Sequence, residues 1–410
     1  MIVTVTANPS ADRAVELPGP LVPGEVQRAA SSREDAGGKG VNVSRVVSAA
    51  GAPTRAVVPV NAHDPYRLLL DDAGVDLDIV AVEGRVRANL TITDPQGETT
   101  KLNLPGAELS PSEAAALTEG VVAAAENATW LVLAGSLPPG VPTTFYADLI
   151  AAVRDRWGDT APRIAVDASG AALAAVVESA RPDVIKPNHE ELAELVGEDA
   201  TADADVLLEA ARRAAALVPG RVASALVTLG ADGALLFDGD GAWRGRAPKI
   251  QVASTVGAGD SSLAGYLLAD LDGATAPERL ARSIAYGAAA ATLPGTQAPT
   301  PADLPAGPIA VTVFSTPTAT SRPRKVTEQC PTSSHRSSSA STRPWGPTSS
   351  RSSVLWPSVS SRRAARPARR NSSTMRGPAS RRTRPASPGA SASRTPAAPP
   401  SPSRPSRSPD

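Results

Sequence analysis

The chain has 410 residues with 41 basic and 41 acidic side chains, but residues 1–310 are acidic and the remainder holds 17 arginines, one lysine and two acidic residues. The acidic larger part excludes a function that rests on general basic attraction to nucleic acid. One cysteine excludes a disulfide within the chain, and three histidines argue against zinc clusters and Ser–His or Cys–His triads.

Residues 1–310 alternate short apolar runs with longer segments rich in alanine and leucine. The short runs predict buried strands, and the longer segments predict helices. Such alternation favours an α/β fold with a doubly wound, mainly parallel sheet flanked by helices. The predicted strands are 2–6, 55–60, 130–134, 163–167, 183–185 and 225–228, and the predicted helices are 40–50, 110–126, 142–155, 169–179, 188–196, 203–217 and 258–271.

Two segments, 12–35 and 77–104, break this alternation with polar, turn-rich sequence that is typical of exposed strands. We expect them to form a small β-sheet that stands off the main sheet. A lid over a ligand crevice is the functional interpretation. An edge extension without a function is the structural alternative.

The first predicted strand is followed by Asp12 and, further on, by the turn Gly37-Gly38-Lys39-Gly40-Val41-Asn42. Open α/β sheets bind ligands at the carboxyl ends of their strands, where a carboxylate can accept hydrogen bonds from sugar hydroxyls. Glycines directly before a helix allow a ligand to approach the backbone closely. A turn aspartate and a flexible loop are the alternative interpretations, and the spacing of a Walker A loop is absent.

The segment Lys186-Pro187-Asn188-His189-Glu190-Glu191 follows a predicted strand and admits two interpretations. Asn188 and Glu191 have the spacing of a capping box for the next helix. Alternatively, both side chains orient the hydration shell of a magnesium ion, which prefers oxygen partners. Two turns are equally ambiguous: Gly135–Gly140 follows a strand, and the strand–turn–strand segment 226–234 fits either a plain hairpin or a seat for adenine or phosphate.

The run Ser254-Thr255-Val256-Gly257-Ala258-Gly259-Asp260-Ser261 is the most informative motif of the chain. Apolar residues at helical spacing follow it, so we expect a helix to begin near Ala258. The free N–H groups of a first helical turn bind anions, and glycines let an anion approach them. Asp260 would repel that anion, but it is well placed to take a proton from a hydroxyl that attacks a bound phosphoryl group. An ordinary first-turn aspartate is the alternative.

A change of composition near residue 312 predicts a domain over 1–312 and a tail over 313–410. The tail is rich in Arg, Ser and Pro and lacks apolar periodicity, so we expect it to be disordered. Because residues 1–310 hold only four lysines, we hypothesise a GC-rich gene and a tail translated out of frame. Without a charged leader or an apolar run that could span a bilayer, we expect a cytoplasmic protein with no membrane or nucleic-acid partner.

In this order, the motifs resemble those of the ribokinase-like, or phosphofructokinase B-type, family of carbohydrate kinases. The opening segment, the Gly24–Arg28 segment and GGKGxNVSRV look most like the 1-phosphofructokinase branch of that family. One departure is the segment 60–65, where many relatives have a glycine-rich turn near the sugar. The matching segments, within residues 1–300, are TxNPSxD at 6–12, GGKGxN at 37–42, GSLPPG at 135–140, DxSG at 167–170, KPNxxE at 186–191, TLGxxG at 228–233 and TVGAGDS at 255–261.

The resemblance implies a ribokinase-like fold and a reaction that uses ATP and Mg²⁺. The γ-phosphoryl group would be transferred to the C6 hydroxyl of fructose 1-phosphate. Tagatose 6-phosphate kinase, 6-phosphofructokinase and a non-catalytic sugar-phosphate-binding protein are the alternatives. Members of the family are commonly dimers whose small β-sheets clasp each other, so the two polar segments imply a homodimer through the lid.

The resemblance also implies roles for individual residues. Asp260 would be the catalytic base, and Gly257, Ala258 and Gly259 would form the backbone anion hole. The sugar phosphate would be bound by Asp12, Gly38, Lys39, Asn42, Arg28 and Arg87, with Lys39 and the two arginines at its phosphate. The nucleotide would lie at Lys186, Asn188, Thr228, Gly230 and Gly233, and Asn188 and Glu191 would hold magnesium through water.

Overall fold

The computed structural model describes residues 1–198 and 205–315, so the expectations for 199–204 and 316–410 lie outside the described part. The described strands are β1 (Ile2–Val5), β2 (Ser10–Glu16), β3 (Ser31–Gly37), β4 (Thr54–Val60), β5 (Asp76–Ala81), β6 (Arg87–Thr93), β7 (Thr99–Asn103), β8 (Trp130–Ala134), β9 (Arg163–Asp167), β10 (Val184–Ile185), β11 (Ser224–Thr228), β12 (Ala234–Phe237), β13 (Ala242–Gly245) and β14 (Val311–Val313). The described helices are α1 (Lys39–Ala49), α2 (Tyr66–Asp71), α3 (Pro111–Ala124), α4 (Phe145–Trp157), α5 (Gly170–Ser179), α6 (His189–Leu195), α7 (Val206–Leu217), α8 (Ala258–Leu271) and α9 (Ala276–Thr292).

The main sheet of the described residues has ten strands in the order β14-β13-β12-β11-β10-β9-β8-β1-β4-β5. In this spatial order, the strands β11, β10, β9, β8, β1, β4 and β5 run parallel to one another. Strands β12, β13 and β14 extend the β11 edge through antiparallel pairing. The central strands β1 and β8 are buried along their whole length. Their continuous apolar sequences are what parallel strands covered on both faces require.

Helices cover both faces of this sheet. One core packs α3, α4, α5 and α7 against one face of the sheet, with Leu117, Tyr146, Leu173 and Ala210 buried. The other core packs α1, α8 and α9 against the opposite face, with Val46, Leu263 and Leu280 buried. The predicted doubly wound α/β architecture is therefore confirmed.

A separate four-stranded sheet, ordered β3-β2-β6-β7, forms the predicted small β-sheet. We call these four strands the lid sheet. Strand β2 pairs antiparallel with β3 and parallel with β6 in a register that places Asp12 between Asp35 and Asn89. The lid sheet leads directly into the main domain, because β3 ends at Gly37 and α1 begins at Lys39.

The lid segment predicted over 77–104 is wrong at its start. Residues 76–81 form β5, which pairs parallel with β4 at the edge of the main sheet, and the lid strands of this segment begin only at Arg87. Strand β5 alternates Asp76 and Asp78 with apolar residues because it is an edge strand. That alternation is indistinguishable in sequence from the pattern of a lid strand.

The C-terminal end of the described chain is built into the fold. Strand β14 pairs with β13, and Phe314 packs edge-on against Phe237 with their ring centroids 6.5 Å apart. The described fold thus continues past the boundary predicted at residue 312, because a short edge strand gives too little sequence signal. No helix in the described ranges is both long and apolar enough to cross a membrane.

Candidate active site

Asp260 lies in the first turn of α8, at the carboxyl edge of the parallel strands. The helix begins at Ala258, and its N-cap residue Gly257 has the left-handed backbone conformation, with φ of 78°. Asp260 is 7% exposed, and its Oδ2 atom accepts a hydrogen bond of 2.8 Å from Asn42 Nδ2. The structure therefore brings two predicted residues that are 218 positions apart into direct contact.

The electrostatic surroundings of Asp260 favour its action as a base. Burial, together with the charge of Asp167, raises the pKa of Asp260 to about 6, although Lys39, Lys186 and the bond from Asn42 act in the opposite direction. At neutral pH the carboxylate is still ionised, yet it is a stronger base than an exposed aspartate. This is the protonation behaviour expected of a general base.

Asp167 connects two predicted lysines. It ends β9 and is completely buried, and its two oxygens pair with Lys39 Nζ at 2.8 Å and Lys186 Nζ at 3.1 Å. Burial opposes its charge, but Lys186 and Lys39 outweigh burial and hold the pKa of Asp167 below its usual value. Burial likewise opposes the charge of Lys39, but Asp167 and Asp260 raise its pKa, so the lysine stays protonated.

Asp167 was predicted only as part of the DxSG motif at 167–170, without a role. Its signal was its position at the carboxyl end of a buried strand, the same signal that singled out Asp12. The Lys186 ammonium group lies beside the start of α8, since a Cβ at Gly259 would be 3.2 Å from its Nζ. The Lys39 charge acts on Asp260 in the same helical turn. Two cations and a helix N-terminus together form a strong site for phosphate groups.

The predicted sugar residues Asp12 and Gly38 lie on the lid side of the same crevice. Asp12 accepts hydrogen bonds from Ser10 Oγ at 2.8 Å and from Asn89 Nδ2 at 3.0 Å. Burial raises its pKa, while these two bonds and Arg87 lower it. A Cβ at Gly37 would overlap the Asp12 carboxylate, and Gly38, with φ of 115°, caps α1. The glycine pair is therefore required by close packing as well as by backbone conformation.

Arg87 points toward a turn that sequence analysis left ambiguous. Its Nη2 donates to Ser136 Oγ at 3.4 Å, and Asn8 Nδ2 donates to the same oxygen at 3.2 Å. The Nε of Arg87 is buried without a hydrogen-bond partner in the described part of the chain. Burial lowers the pKa of Arg87 and the charge of Asp12 raises it. Ser136, in the GSLPPG segment, thus joins the site without having been predicted.

Arg28 is not brought into the crevice. It is exposed in the loop that joins β2 to β3, and it makes no hydrogen bond or ion pair with the described residues. Its neighbour Val26 is fully exposed in the same loop. The predicted contact of Arg28 with a substrate phosphate remains a prediction.

The capping-box interpretation of Asn188 and Glu191 is observed at the start of α6. Asn188 Oδ1 accepts from the Glu191 backbone N–H at 2.8 Å, and Glu191 Oε2 accepts from the Asn188 N–H at 2.9 Å. The capping box thus uses one side-chain oxygen of each residue. The second oxygen of Glu191 has no hydrogen-bond partner among the described residues and stays available to a ligand.

The other predicted nucleotide residues lie beside this helix start. Thr228, at the end of β11, bridges to Asn188, which brings the KPN and TLG segments together. Gly230 and Gly233 have positive φ values of 58° and 95°. A Cβ at Gly233 would overlap the Gly245 carbonyl oxygen, so the tight hairpin to β12 and β13 already requires this glycine.

The described residues contain no cluster of three or more His, Cys, Asp or Glu side chains able to hold a metal ion by themselves. The donors nonetheless fit magnesium, which keeps several waters and takes one or two carboxylates plus substrate phosphates. Glu191 offers a carboxylate oxygen, and Asn188 lies beside it. Such a site would be completed by the nucleotide and not by the protein alone.

Comparison with known proteins gives the following similarities. The family described as pfkB family carbohydrate kinase matches residues 7–303. A 1-phosphofructokinase of Rhodobacter capsulatus is 36% identical over 323 residues, which cover 77% of this chain and 98% of that protein. ATP-dependent 6-phosphofructokinase isozyme 2 of Escherichia coli is 33% identical over 301 residues, covering 72% and 94%. The solved structure of phosphofructokinase-2 from Escherichia coli in complex with substrates and products aligns with a TM-score of 0.66, 32% identity and coverage of 74% and 96%.

Proposed function

Because the chain belongs to the pfkB family of carbohydrate kinases, we propose that it transfers the γ-phosphoryl group of ATP to the C6 hydroxyl of fructose 1-phosphate. The products are fructose 1,6-bisphosphate and ADP. The C6 oxygen forms a new bond to phosphorus, the bond from phosphorus to the bridging oxygen of ATP breaks, and the hydroxyl proton leaves to a base.

The observation that carries this proposal is the position of Asp260. Its carboxylate is buried at the N-terminus of α8, its Oδ2 is held by Asn42, and its pKa is raised to about 6. A base in this position takes the hydroxyl proton while the helix N-terminus stabilises charge on the phosphoryl group. Because phosphoryl transfer needs little covalent help from the protein, correct placement of these groups is most of the catalysis.

We place Lys39 with Lys186 at the group in transfer, and not at the phosphate of the sugar as the resemblance implied, because Asp167 holds its Nζ and its charge acts on Asp260. Lys39 and Lys186 flank Asp167, and both charges act on Asp260. Lys186 also lies beside Gly259. In the protein without ligand, Asp167 pairs with both ammonium groups, so neither cation is left without a partner. Phosphate oxygens offer these ammonium groups stronger partners when ATP binds.

The sugar and its own phosphate lie toward the lid sheet in this proposal. Asp12 accepts hydrogen bonds from sugar hydroxyl groups. The Asn42 Oδ1 atom is buried without a partner among the described residues, and it accepts a hydrogen bond from a further hydroxyl group. Arg87 and Ser136 bind the phosphate already on the sugar. Arg87 has a buried Nε without a partner, so a phosphate would satisfy a donor that the described protein groups leave free.

The nucleotide is placed at the adjoining edge in this proposal, along Asn188, Thr228 and Gly230. Magnesium, held by Glu191 and Asn188 through water and by the ATP phosphates, would neutralise charge on those phosphates. The backbone of the 228–233 turn gives the base and ribose a surface without bulky side chains.

Two close alternatives share the same chemistry. A 6-phosphofructokinase is supported by the 33% identity to the Escherichia coli isozyme. A tagatose 6-phosphate kinase would act on a substrate that differs from fructose 1-phosphate in one hydroxyl stereocentre and in the position of the phosphate. A non-catalytic sugar-phosphate-binding protein is disfavoured because Asp260, Gly257 and Gly259 are all present. We favour fructose 1-phosphate because relatives named 1-phosphofructokinase match at about 35% identity over most of the chain.

We also propose that the protein acts in the cytoplasm as a homodimer joined through the lid sheet. The lid sheet and the segments that flank its strands carry exposed apolar side chains, among them Val26, Leu102 and Leu104. An exposed apolar group on a standing sheet favours a protein partner. Both substrates of the proposed reaction are metabolites of the cytoplasm.

Product identification tests the proposed reaction. The full chain would be incubated with fructose 1-phosphate, ATP and Mg²⁺, and the mixture followed by ³¹P NMR. We expect the γ-phosphate signal of ATP to be lost as a second sugar phosphate ester and ADP appear in equal amounts. ATP consumption without a bisphosphate, or no reaction at all, would contradict the proposal.

A further inference from the structure

Asn61–Tyr66 lies between the main sheet and the lid sheet and has no part in the reaction described above. We call these six residues the hinge segment. It follows β4 directly and ends at the first residue of α2.

We propose that Asp64 and Tyr66 are positioning residues that hold the start of β6 and the glycine turn before α1 in a fixed relation, and so place the two halves of the sugar-phosphate site. This inference rests on the proposed function, because it concerns the same substrate site. Neither residue touches the reacting atoms.

Asp64 fixes the point at which the chain enters the lid sheet. It is 8% exposed, and its two oxygens accept from different backbone groups: Oδ1 from Tyr66 N–H at 2.9 Å and Oδ2 from Val86 N–H at 2.8 Å. Val86 directly precedes β6, whose first residue is Arg87. A single carboxylate thus joins the start of α2 to the start of a lid strand.

A second bond strengthens this connection. Asn61 Nδ2 donates to the Glu83 carbonyl oxygen at 2.7 Å, three residues before Val86. The hinge segment therefore binds the incoming lid chain at two points. Since β6 carries both Arg87 and Asn89, this connection sets the position of two side chains that face Asp12.

Tyr66 fixes the other half of the site. It is 2% exposed, and its hydroxyl donates to the Gly37 carbonyl oxygen at 2.6 Å. Burial raises the pKa of Tyr66, as do the charges of Asp12 and Asp64, so the hydroxyl remains a donor at physiological pH. Gly37 packs against the Asp12 carboxylate, and the next residues, Gly38 and Lys39, begin α1.

The two residues that make these contacts are close together in the hinge segment. Asp64 holds Val86, directly before β6, and Tyr66 holds the glycine turn before α1, with only Pro65 between the two residues. Loss of either contact lets the phosphate-binding half move relative to the hydroxyl-binding half. Such displacement weakens sugar binding without removing Asp260 or the nucleotide residues.

The test uses Asp64→Asn in the full chain, with His63→Ala as the matched control. An amide has one acceptor oxygen, so either Val86 N–H or Tyr66 N–H loses its acceptor, whereas the exposed His63 side chain makes no bond among the described residues. We expect the KM for fructose 1-phosphate to rise about tenfold, as for a lost buried hydrogen bond, with kcat and the KM for ATP within about twofold. The control keeps wild-type values.

Amide hydrogen exchange gives a readout that needs no substrate. Asp64→Asn should accelerate exchange in peptides that cover residues 83–93, and His63→Ala should not. Tyr66→Phe keeps the ring and removes only the bond to Gly37, so it should accelerate exchange around residues 36–42 and raise the same KM.

Each outcome bears on the proposal. Faster exchange together with a higher sugar KM supports it, and faster exchange with an unchanged KM overturns it by reducing the hinge segment to a structural element. Unchanged exchange in both variants overturns it as well. If the wild type phosphorylates no sugar phosphate, the proposed function fails, while the exchange data still decide whether the hinge segment holds the two halves together.

Discussion

Two opposing influences act on the carboxylate of Asp260 at the start of α8. The position favours anions, yet burial and the charge of Asp167 raise the pKa of Asp260 to about 6. Asn42 holds one of its oxygens, which leaves the other free to face a hydroxyl group. These contacts explain how a residue that looks like a common first-turn aspartate can serve as a base.

Asp260→Asn removes the proposed base and keeps the shape of the side chain. We expect kcat to fall by about 10²- to 10⁴-fold because the attacking hydroxyl then has no proton acceptor. Circular dichroism and the melting temperature should stay close to those of the wild type. Steady-state kinetics checks the prediction, with Asp240→Asn in an exposed turn as control, and near-normal turnover by Asp260→Asn would contradict it.

The pH dependence of activity follows from the raised pKa of Asp260. The base must be ionised to accept a proton, so activity should be lost as the pH falls through about 6. The substrate phosphate also titrates near pH 6. Comparing the pH profile of kcat for the wild type and for one variant, with the same substrate, is therefore more informative than the wild-type profile alone.

Asp167→Asn supplies that comparison. It removes a negative charge that raises the pKa of Asp260 and leaves Lys39 and Lys186 to lower it further. We expect a lower maximal rate, with the acidic limb of log kcat against pH displaced to lower pH. A limb that stays in place would show that another group titrates there.

At the residue scale, sequence patterns predicted residues that lie in tight local motifs. Asp260, Asn42 and Asp12 were predicted because glycines or strand ends mark their positions. Asp167 also ends a strand, but no role was predicted for it or for Ser136, because their partners Lys186, Lys39 and Arg87 become neighbours only in the folded chain. Long-range ion pairs leave no periodic signal in a sequence.

At the scale of elements, the start of α6 combines a structural and a chemical role. The reciprocal bonds between Asn188 and Glu191 stabilise the helix, and the same two residues are proposed to hold magnesium. The start of α3 has an equivalent capping box, Ser110 with Glu113, whose second residue bonds to Glu83. This pair provides a matched control within the same chain.

Asn188→Ala and Ser110→Ala should each lower the free energy of unfolding by about 1 kcal/mol, because each removes one helix cap. Only Asn188→Ala should also raise the Mg²⁺ concentration needed for half-maximal activity, by several-fold. Chemical denaturation and magnesium titrations check the two parts. Equal magnesium dependence in both variants would limit Asn188 to its capping role.

Element types were predicted best where patterns are strong. The buried strands β1, β8, β9 and β11 match their predicted positions to within one residue. Helix α9 was missed although Thr275 and Glu278 form a capping box at its start, a signal present in the sequence. Strand β5 was assigned to the lid because an edge strand and a lid strand have the same polar alternation, and only pairing with β4 separates them.

At the scale of the whole molecule, the lid sheet has one side at the crevice and an edge with exposed apolar side chains. One side covers the crevice through Asp12, Asn89 and Arg87, while Leu102 and Leu104 at its far edge are about half exposed. A second copy of the chain is the proposed cover. The same contact would restrain the lid over the substrate.

Leu102→Glu tests this proposal. A charge at a buried apolar contact is costly, so the variant should dissociate to monomers at concentrations where the wild type has twice the chain mass. Leu208→Glu, on the exposed side of α7, is the control and should not change the mass. Sedimentation equilibrium measures both. A wild-type monomer, or a Leu102→Glu dimer, would contradict the proposed interface.

The most direct test of the central proposal is substrate preference. The kcat/KM of the full chain would be measured with ATP and Mg²⁺ for fructose 1-phosphate, fructose 6-phosphate and tagatose 6-phosphate. We expect the highest value for fructose 1-phosphate, by about tenfold or more, because one misplaced phosphate or hydroxyl leaves buried groups such as Arg87 and Asp12 unpaired. A preference for either 6-phosphate would contradict the proposed substrate, and no turnover of any of the three would contradict the proposed reaction.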